Sequence, residues 1–245
     1  MKEGGGFSCE WSDIHSMMLS YGYRYDEPEI HQEMGNITVN FECDYQDIVP
    51  SYGGTFIGIH GWTVEHRIEY YILESWDSFD TPEFIRFKDT ITVDGGQYDI
   101  YESAESNLEM GYYRRYWSVR REKRKEGTVS ISQQFELWEA LGIKLGKVCE
   151  ISFLIDGFHG SGSADLKKIN INIDKNYSLI GDVNEDGFVN SLDYAVLRKY
   201  LLGKIDTISS NADINRDGNV DSLDFALLRK HLVGKIFLGF TTAAS

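Results

Sequence analysis

The sequence predicts a mostly β domain, a sandwich or a barrel with one helix, followed by a small all-α module. Between Gly5 and Asp174 the chain alternates short aromatic and β-branched runs with turn signals, a pattern typical of such folds. The composition agrees, since three prolines stand against 24 glycines, 15 tyrosines and 13 phenylalanines. After Ile173 the pattern changes to a motif that recurs from Asp182 to Asp213, each copy followed by a helical segment.

Ten runs in the first part read as strands, and a diglycine turn and a Glu-Gly turn separate two pairs of them as hairpins. A helix interrupts the series, because Phe135, Trp138 and Leu141 recur at helical spacing and Gly142 follows as a C-cap. The predicted strands are Phe7–Trp11, Asn36–Glu42, Gly54–His60, Ile68–Trp76, Asp89–Val93, Gln97–Tyr101, Tyr112–Arg120, Thr128–Ser132, Val148–Ile155 and Leu166–Ile173.

The charge of the chain excludes two classes of partner. A formal net charge of −15 argues against nucleic acid, because that binding depends on Lys and Arg at the phosphates. It argues equally against an anionic membrane surface. A neutral polymer such as a polysaccharide is compatible with it.

The cysteines and the N-terminus carry little information on location. Cys9, Cys43 and Cys149 are odd in number and widely spaced, so one disulfide is conceivable, but we expect free thiols. The first residues lack the apolar region of a signal peptide. We therefore expect either a cytoplasmic protein or a chain without its natural beginning.

Within the run IEYYILESW at residues 68–76, a carboxylate lies among aromatic residues. Strand alternation places Glu69, Tyr71 and Leu73 on one face. Two interpretations are open: an edge-strand charge that limits aggregation, or a catalytic or ligand-binding carboxylate in a cleft.

The two copies of the later motif are DVNEDGFVNSLD at residues 182–193 and DINRDGNVDSLD at residues 213–224. Oxygen donors at loop positions 1, 3, 5, 9 and 12, a backbone carbonyl at 7 and Gly at 6 match the calcium loop of EF-hands, with Asp replacing the usual Glu at 12. We predict two structural Ca²⁺ ions, bound by Asp182, Asn184, Asp186, Phe188, Asn190 and Asp193 and by Asp213, Asn215, Asp217, Asn219, Asp221 and Asp224.

The segment before the first loop is too short and irregular for the entering helix of a calcium sensor. The paired loop–helix repeats at residues 179–237 instead resemble a type I dockerin. That resemblance implies a docking module that binds the cohesin domain of a scaffoldin and needs calcium to fold. Near-identical copies would permit two docking orientations. The residues it assigns to recognition are Ser191, Leu192, Arg198 and Lys199, mirrored by Ser222, Leu223, Arg229 and Lys230.

Residues 1–175 resemble glycoside hydrolase family 11, the β-jelly-roll xylanases. The run IEYYILESW after GWT resembles the family's nucleophile strand. Further blocks occur in the family's order: GGFSCEWS at 5–12, GQYDIY at 96–101, YWSVR at 116–120, the helical segment at 135–146 and DGFHGSGS at 156–163. A strand that precedes the first block in the family is expected to be missing.

The resemblance implies retaining hydrolysis of β-1,4-xylan by two carboxylates, with Glu69 as nucleophile and Asp156 as acid/base. The family carries Glu at the second position, and Asp withdraws the carboxyl by roughly 1.5 Å, one C–C bond. Because retaining pairs lie about 5–5.5 Å apart and inverting pairs about 6.5–9.5 Å, this change could weaken retention or admit inversion. Asp also has a reference pKa about 0.4 unit lower, so it is harder to keep protonated.

Other family positions differ here as well. His60 replaces a Tyr and could still bond Glu69, while Glu105 and Arg115 exchange charge and are expected to pair. Ser16 stands where an Asn neighbours the acid. The predicted substrate-binding residues are Trp62, Tyr71, Trp117, His60 and Arg115, the aromatic ones by stacking on sugars.

Two functions are compatible with these sequence features. The first is a secreted, cellulosome-associated endo-1,4-β-xylanase that needs no cofactor for catalysis, anchored to a scaffoldin through its dockerin. The second is a catalytically weak or inactive xylan-binding module on the same fold, suggested by the changes at Asp156, Glu105, Arg115 and Ser16.

Overall fold

The computed structural model describes residues 6–48, 54–77, 85–107, 111–175, 179–233 and 238, with the backbone alone for residues 47–48 and 105–107. The chain divides into two compact units, Met1–Ile173 and Asp174–Ser245, which we describe separately. None of the helices in these ranges is long and apolar enough to cross a membrane.

The first unit is built from one curled sheet, as the mostly β prediction requires. Its strands follow the order β5-β6-β7-β4-β3-β9-β2-β8, and β1 pairs with β9. The strands are β1 (Phe7–Ile30), β2 (Asn36–Ile48), β3 (Gly54–Val64), β4 (Ile68–Trp76), β5 (Arg86–Val93), β6 (Gly96–Asn107), β7 (Gly111–Arg120), β8 (Glu126–Ser130) and β9 (Lys147–Asp174). The helices of this unit are the single turn α1 (His31–Met34) and α2 (Ile131–Ala140).

Several sequence predictions of strand extent are wrong. Strands β2 and β6 continue to Ile48 and Asn107, beyond the predicted ends at Glu42 and Tyr101. Three further differences change the arrangement of the sheet. Strand β1 continues to Ile30 instead of ending at Trp11, because it pairs with β9 almost throughout and this pairing overrides its weak strand pattern. The two predicted strands at residues 148–173 are one strand, β9. Gly162 lies in its glycine-rich centre, where a Cβ would stand 2.5 Å from the ring of Trp11, so this glycine permits a close approach and does not end the strand.

The third error is at Thr128–Ser132, where the strand ends at Ser130 and helix α2 begins at Ile131. The predicted helical stripe is confirmed. Phe135 and Trp138 are fully buried, and their rings contact Tyr70 of β4 at 5.0 and 6.2 Å between centroids. The helix therefore covers one face of the sheet and closes the main core.

The opposite face of the sheet, which we call the cleft face, carries Glu69, Tyr71 and Leu73. The alternation predicted for β4 is confirmed, because Ile68, Tyr70 and Ile72 lie in the main core and Tyr71 and Leu73 in a second apolar cluster. That second cluster consists of Tyr71, Leu73, Trp117, Val119 and Leu154.

The second unit consists of two loop–helix repeats. Helix α3 (Ser191–Leu201) and helix α4 (Ser222–Leu232) have equal lengths, and a short 3₁₀ turn at Ser210–Ala212 precedes the second loop. The rings of Tyr194 and Phe225, at equivalent positions, stack at 4.1 Å. The repeats thus pack against each other through the same helix face.

Candidate active site

Glu69 lies in the middle of the sheet, because β4 is flanked by β3 and β7. Its register neighbours are Trp62 on β3 and Arg115 on β7. The side chain is only 5% exposed. A central, buried position is incompatible with an edge charge that limits aggregation, so the structure rejects that interpretation.

Three side chains bind the Glu69 carboxylate. His60 Nε2 lies 3.1 Å from Oε1, and the Tyr71 hydroxyl donates to the same oxygen at 2.9 Å. Arg115 Nε donates to Oε2 at 2.6 Å. Burial would raise the pKa of Glu69, but the hydrogen bond with His60 and the charge and hydrogen bond of Arg115 outweigh it and hold the pKa below its usual value. The carboxylate is therefore ionised in mildly acidic water.

Asp156 lies on β9, opposite Phe56 of β3 and Met18 of β1 in the strand register. Burial raises its pKa to about 6, the nearby charge of Glu69 adds to the rise, and His60 and Arg115 oppose it. Burial thus outweighs the lower reference pKa that Asp has relative to Glu. Two carboxyl groups that influence each other's charge are held in opposite protonation states near pH 5.

Aromatic rings lie beside Glu69. Tyr71 stacks on Trp117 at 6.1 Å with the planes 17° apart, and Trp62 packs on Tyr113 at 5.3 Å. The Arg115 guanidinium lies 5.5 Å from the centre of the Trp117 ring. Tyr71 and Trp117 are buried, whereas Trp62 is half-buried and lines a cavity of ≈ 790 Å³. The other residues that line this cavity are Arg24, Thr63, Val64, Glu65, Arg67, Tyr113, Cys149 and Glu150.

Arg115 binds Glu69 directly, a contact that the sequence did not predict. The side chain of Glu105 lies outside the described residues, so the predicted Glu105–Arg115 pair stays a prediction. Ser16 pairs with Phe158 in the β1–β9 register, two residues along β9 from Asp156. The three cysteines are free thiols, as expected.

Sequence reasoning missed Glu150 and its partner Arg24. Glu150 is 7% exposed and lies on the same strand as Asp156. Arg24 Nη2 and Nε donate to its Oε2 at 2.7 and 3.2 Å. Alternation along β9 could have found it, because residues an even number apart share a face and six positions separate Glu150 from Asp156.

In the second unit, the predicted calcium ligands bind backbone N–H groups of their own loop. Asp182 accepts from Asp186 N at 3.1 Å and from Gly187 N at 2.9 Å. Asp193 accepts from Val183 N at 2.7 Å and, through its other oxygen, from Asn190 N at 2.7 Å. The second loop repeats this through Asp213 and Asp224. The bonds from Asn190 N to Asp193 and from Asp221 N to Asp224 belong to capping boxes that start helices α3 and α4.

The donor set of each loop suits Ca²⁺. It combines carboxylate, amide and carbonyl oxygens, the hard ligands that this ion prefers. Asp213 Oδ1 is buried without a hydrogen-bond partner among the described residues, and burial together with the charges of Asp193 and Asp186 raises the pKa of Asp182. A bound cation would give Asp213 Oδ1 a partner and would offset the negative charge around Asp182. In the described ranges no three His, Cys, Asp or Glu side chains are gathered as a metal cluster.

The side chains predicted to contact a partner all lie on the surface of the second unit. Leu192 and Leu223 occupy equivalent positions and are each 58% exposed. Ser191, Arg198, Lys199, Ser222, Arg229 and Lys230 are exposed as well. Two copies of one apolar and basic surface therefore face outward.

Comparison with known proteins identifies two regions. The family profile of glycosyl hydrolases family 11 matches residues 1–167, and that of the dockerin type I domain matches residues 180–233. An endo-1,4-beta-xylanase A of Thermoclostridium stercorarium is 38% identical over 72% of this chain and 27% of its own length. A bifunctional xylanase/deacetylase of Pseudobutyrivibrio xylanivorans is 36% identical over 74% of the chain and 30% of its own length, so the chain spans under a third of both relatives.

A relative of more similar size is the endo-1,4-beta-xylanase A of Bacillus pumilus, which is 35% identical over 68% of this chain and 72% of its own length. Among solved structures, the family 11 xylanase from Neocallimastix patriciarum superposes with a TM-score of 0.63 at 22% identity, covering 71% of this chain and 84% of that one. The wild-type ENZbleach xylanase gives 0.61 at 29% identity, over 69% and 72%.

Proposed function

This chain belongs to glycosyl hydrolase family 11 and carries a type I dockerin domain, and from that premise we propose that it is an endo-1,4-β-xylanase. Its substrate would be xylan, cut at internal β-1,4 bonds. The relatives named xylanases support this choice of substrate. The observation that carries the reaction is the buried Glu69 carboxylate, bound by Arg115, His60 and Tyr71, whose charge also reaches Asp156, where burial raises the pKa to about 6.

A glycosidase needs one carboxylate and one carboxylic acid, and environments that push two pKa values apart identify them. Glu69 is the nucleophile, since Arg115, His60 and Tyr71 stabilise its charge. Asp156 is the acid, since burial keeps its proton on in mildly acidic water.

In the first step the Asp156 proton moves to the glycosidic oxygen as the bond to the anomeric carbon breaks, and Glu69 bonds to that carbon. In the second step a water attacks the same carbon, gives a proton back to Asp156 and releases Glu69 as carboxylate. No metal or other cofactor enters either step. The sugars would stack on the rings of Trp62, Tyr71 and Trp117. The nucleophile would be oriented by His60 and Arg115.

The shorter Asp156 side chain decides between this and the second candidate, a xylan-binding module with weak or no turnover. Reducing-sugar release from xylan by the wild-type chain, with NMR of the first anomer formed, tests both. A β-anomer supports retention and an α-anomer shows inversion. Release only after Asp156→Glu would make the native chain a binder.

For the second unit we propose that two Ca²⁺ ions, held by the twelve loop ligands, order a module that binds a cohesin of a scaffoldin. The protein would then act outside the cell, in a cellulosome. The equivalent exposure of Leu192 and Leu223 supports two alternative docking modes.

Binding of the full chain to a cohesin panel, by calorimetry with Ca²⁺ present, tests the partner. Leu192→Asp or Leu223→Asp alone should leave affinity within about threefold, because the other copy still docks, whereas the double variant should lose about 100-fold or more. If one of the single variants loses as much affinity as the double variant, the two-mode proposal is rejected.

A further inference from the structure

His60 is a buried imidazole between two carboxylates. Nε2 lies 3.1 Å from Glu69 Oε1, and Nδ1 lies 3.9 Å from Glu150 Oε1 on the other side of the ring. The histidine is 4% exposed, and Nδ1 has no hydrogen-bond partner among the described residues. Only the Glu69 side of this arrangement is explained by the proposed reaction.

Two side chains bind Glu150 in this place. Arg24 Nε and Nη2 both donate to the same oxygen, Oε2, a charge-assisted contact that leaves Oε1 for other partners. The Ser152 hydroxyl donates to Oε1 at 3.3 Å, which leaves that oxygen directed towards His60. The Glu150 carboxylate therefore presents Oε1 to the histidine.

The protons of His60 follow from these two neighbours. An ionised carboxylate only accepts hydrogen bonds, so Glu69 requires N–H at Nε2. A bare Nδ1 lone pair would face the negative charge of Glu150, whereas N–H at Nδ1 is attracted by it. Both contacts are therefore favourable together when each ring nitrogen presents an N–H group to its carboxylate.

We propose that Glu150 is a positioning residue that acts through His60. It orients the ring and keeps Nδ1 protonated, so that a second cation beside Arg115 faces the nucleophile. The inference deepens the proposed function, on which it rests for the role of Glu69.

The charge of His60 reaches both reacting carboxyl groups, because its presence lowers the pKa of Glu69 and of Asp156. Losing that charge would raise both. The other titratable or charged groups around His60 and Glu150 include Glu69, Tyr70 and Tyr71 on β4, Arg115 on β7, Asp156 and Cys149 on β9, and Arg24 on β1.

The test compares the full chain with Glu150→Gln and Glu150→Asp, using kcat/KM on a xylo-oligosaccharide across pH. Glu150→Gln should move both limbs of the profile to higher pH and reduce activity on the acidic side by about tenfold, the effect of one pH unit. Glu150→Asp should restore most of the original profile. A lower activity with unmoved limbs would overturn the proposal, since it shows a merely structural role.

The matched control is Glu139→Gln. Glu139 lies 3.2 Å from another buried imidazole, that of His31, away from the cleft face. This change should leave the profile in place.

A readout independent of turnover is the ¹⁵N NMR signal of His60, assigned with His60→Gln. The wild type should show two protonated nitrogens at pH 6 and Glu150→Gln only one. A single protonated nitrogen in the wild type overturns the proposal. If the wild type releases no sugar, the proposed function fails while this NMR result still decides the role of Glu150.

Discussion

The two units of this protein hold their carboxylates in opposite ways. In the β domain, Glu69 takes its charge partner from Arg115, 46 positions away on another strand. In the repeats, Asp193 binds N–H groups of Val183 and Asn190, at most ten positions away. The first carboxylate binds a cation of the protein, whereas the second, within the part of the chain that the structure describes, binds backbone N–H groups only.

This difference has a chemical consequence. When an arginine pairs with a carboxylate, the protein itself balances the negative charge. Carboxylates that crowd together with backbone N–H groups alone retain a net negative charge, which a Ca²⁺ ion would balance. The same residue type is thus expected to serve catalysis in one unit and metal-dependent folding in the other.

The largest expected effect is loss of turnover on Glu69→Gln. The amide cannot form the glycosyl-enzyme, so we expect kcat on xylan to fall by about 10³-fold or more. The matched control is Glu42→Gln, which removes an exposed carboxylate 3.1 Å from Lys167 and should leave kcat unchanged. Unaltered activity of Glu69→Gln would remove the catalytic role from this residue.

The second largest effect is expected from chelation of Ca²⁺, which should destabilise the repeats and leave the β domain unchanged. If Ca²⁺ is present at about 1,000 times its dissociation constant, adding EDTA removes roughly 4 kcal/mol from the free energy of unfolding of the repeats. Scanning calorimetry should show their transition move down while the β-domain transition, an internal control, stays in place. Unchanged unfolding of the repeats would contradict the calcium assignment.

Glu74→Gln tests whether a second arginine-paired carboxylate on β4 is only structural. Glu74 is fully buried in the main core and bound by Arg124 and by Tyr98 at 2.7 Å. Leaving Arg124 unpaired should lower the free energy of unfolding by about 3 kcal/mol, read by urea denaturation. Turnover per folded molecule should not change, and a large fall there would show that Glu74 influences the cleft.

The smallest effect is on pH dependence. Because the raised pKa of Asp156 keeps its carboxyl protonated up to about pH 6, kcat/KM should decline above that pH. The acidic limb should lie below the usual pKa of Glu, since the pKa of Glu69 is lowered. A pH–rate profile checks both limbs, and full activity at pH 8 would exclude Asp156 as the acid.

Sequence reasoning succeeded where contacts are local. The alternation that places Glu69 with Tyr71, the stripe of helix α2 and the repeated loops all depend on neighbours along the chain. It failed for β1, whose extent depends on pairing with β9. It also missed Glu150, because no local pattern indicates that Arg24 will bind it.

Local patterns along the chain are sufficient to predict the mostly β domain and the paired loops, and the family resemblance adds the two candidate catalytic carboxyl groups. The protonation of those two groups depends on the fold. Partial burial and the charge of Glu69 raise the pKa of Asp156 to about 6, and the pKa of Glu69 is lowered because His60 and Arg115 reach it from neighbouring strands. Burial and long-range charge depend on how the strands pair, and no single stretch of the sequence determines that pairing.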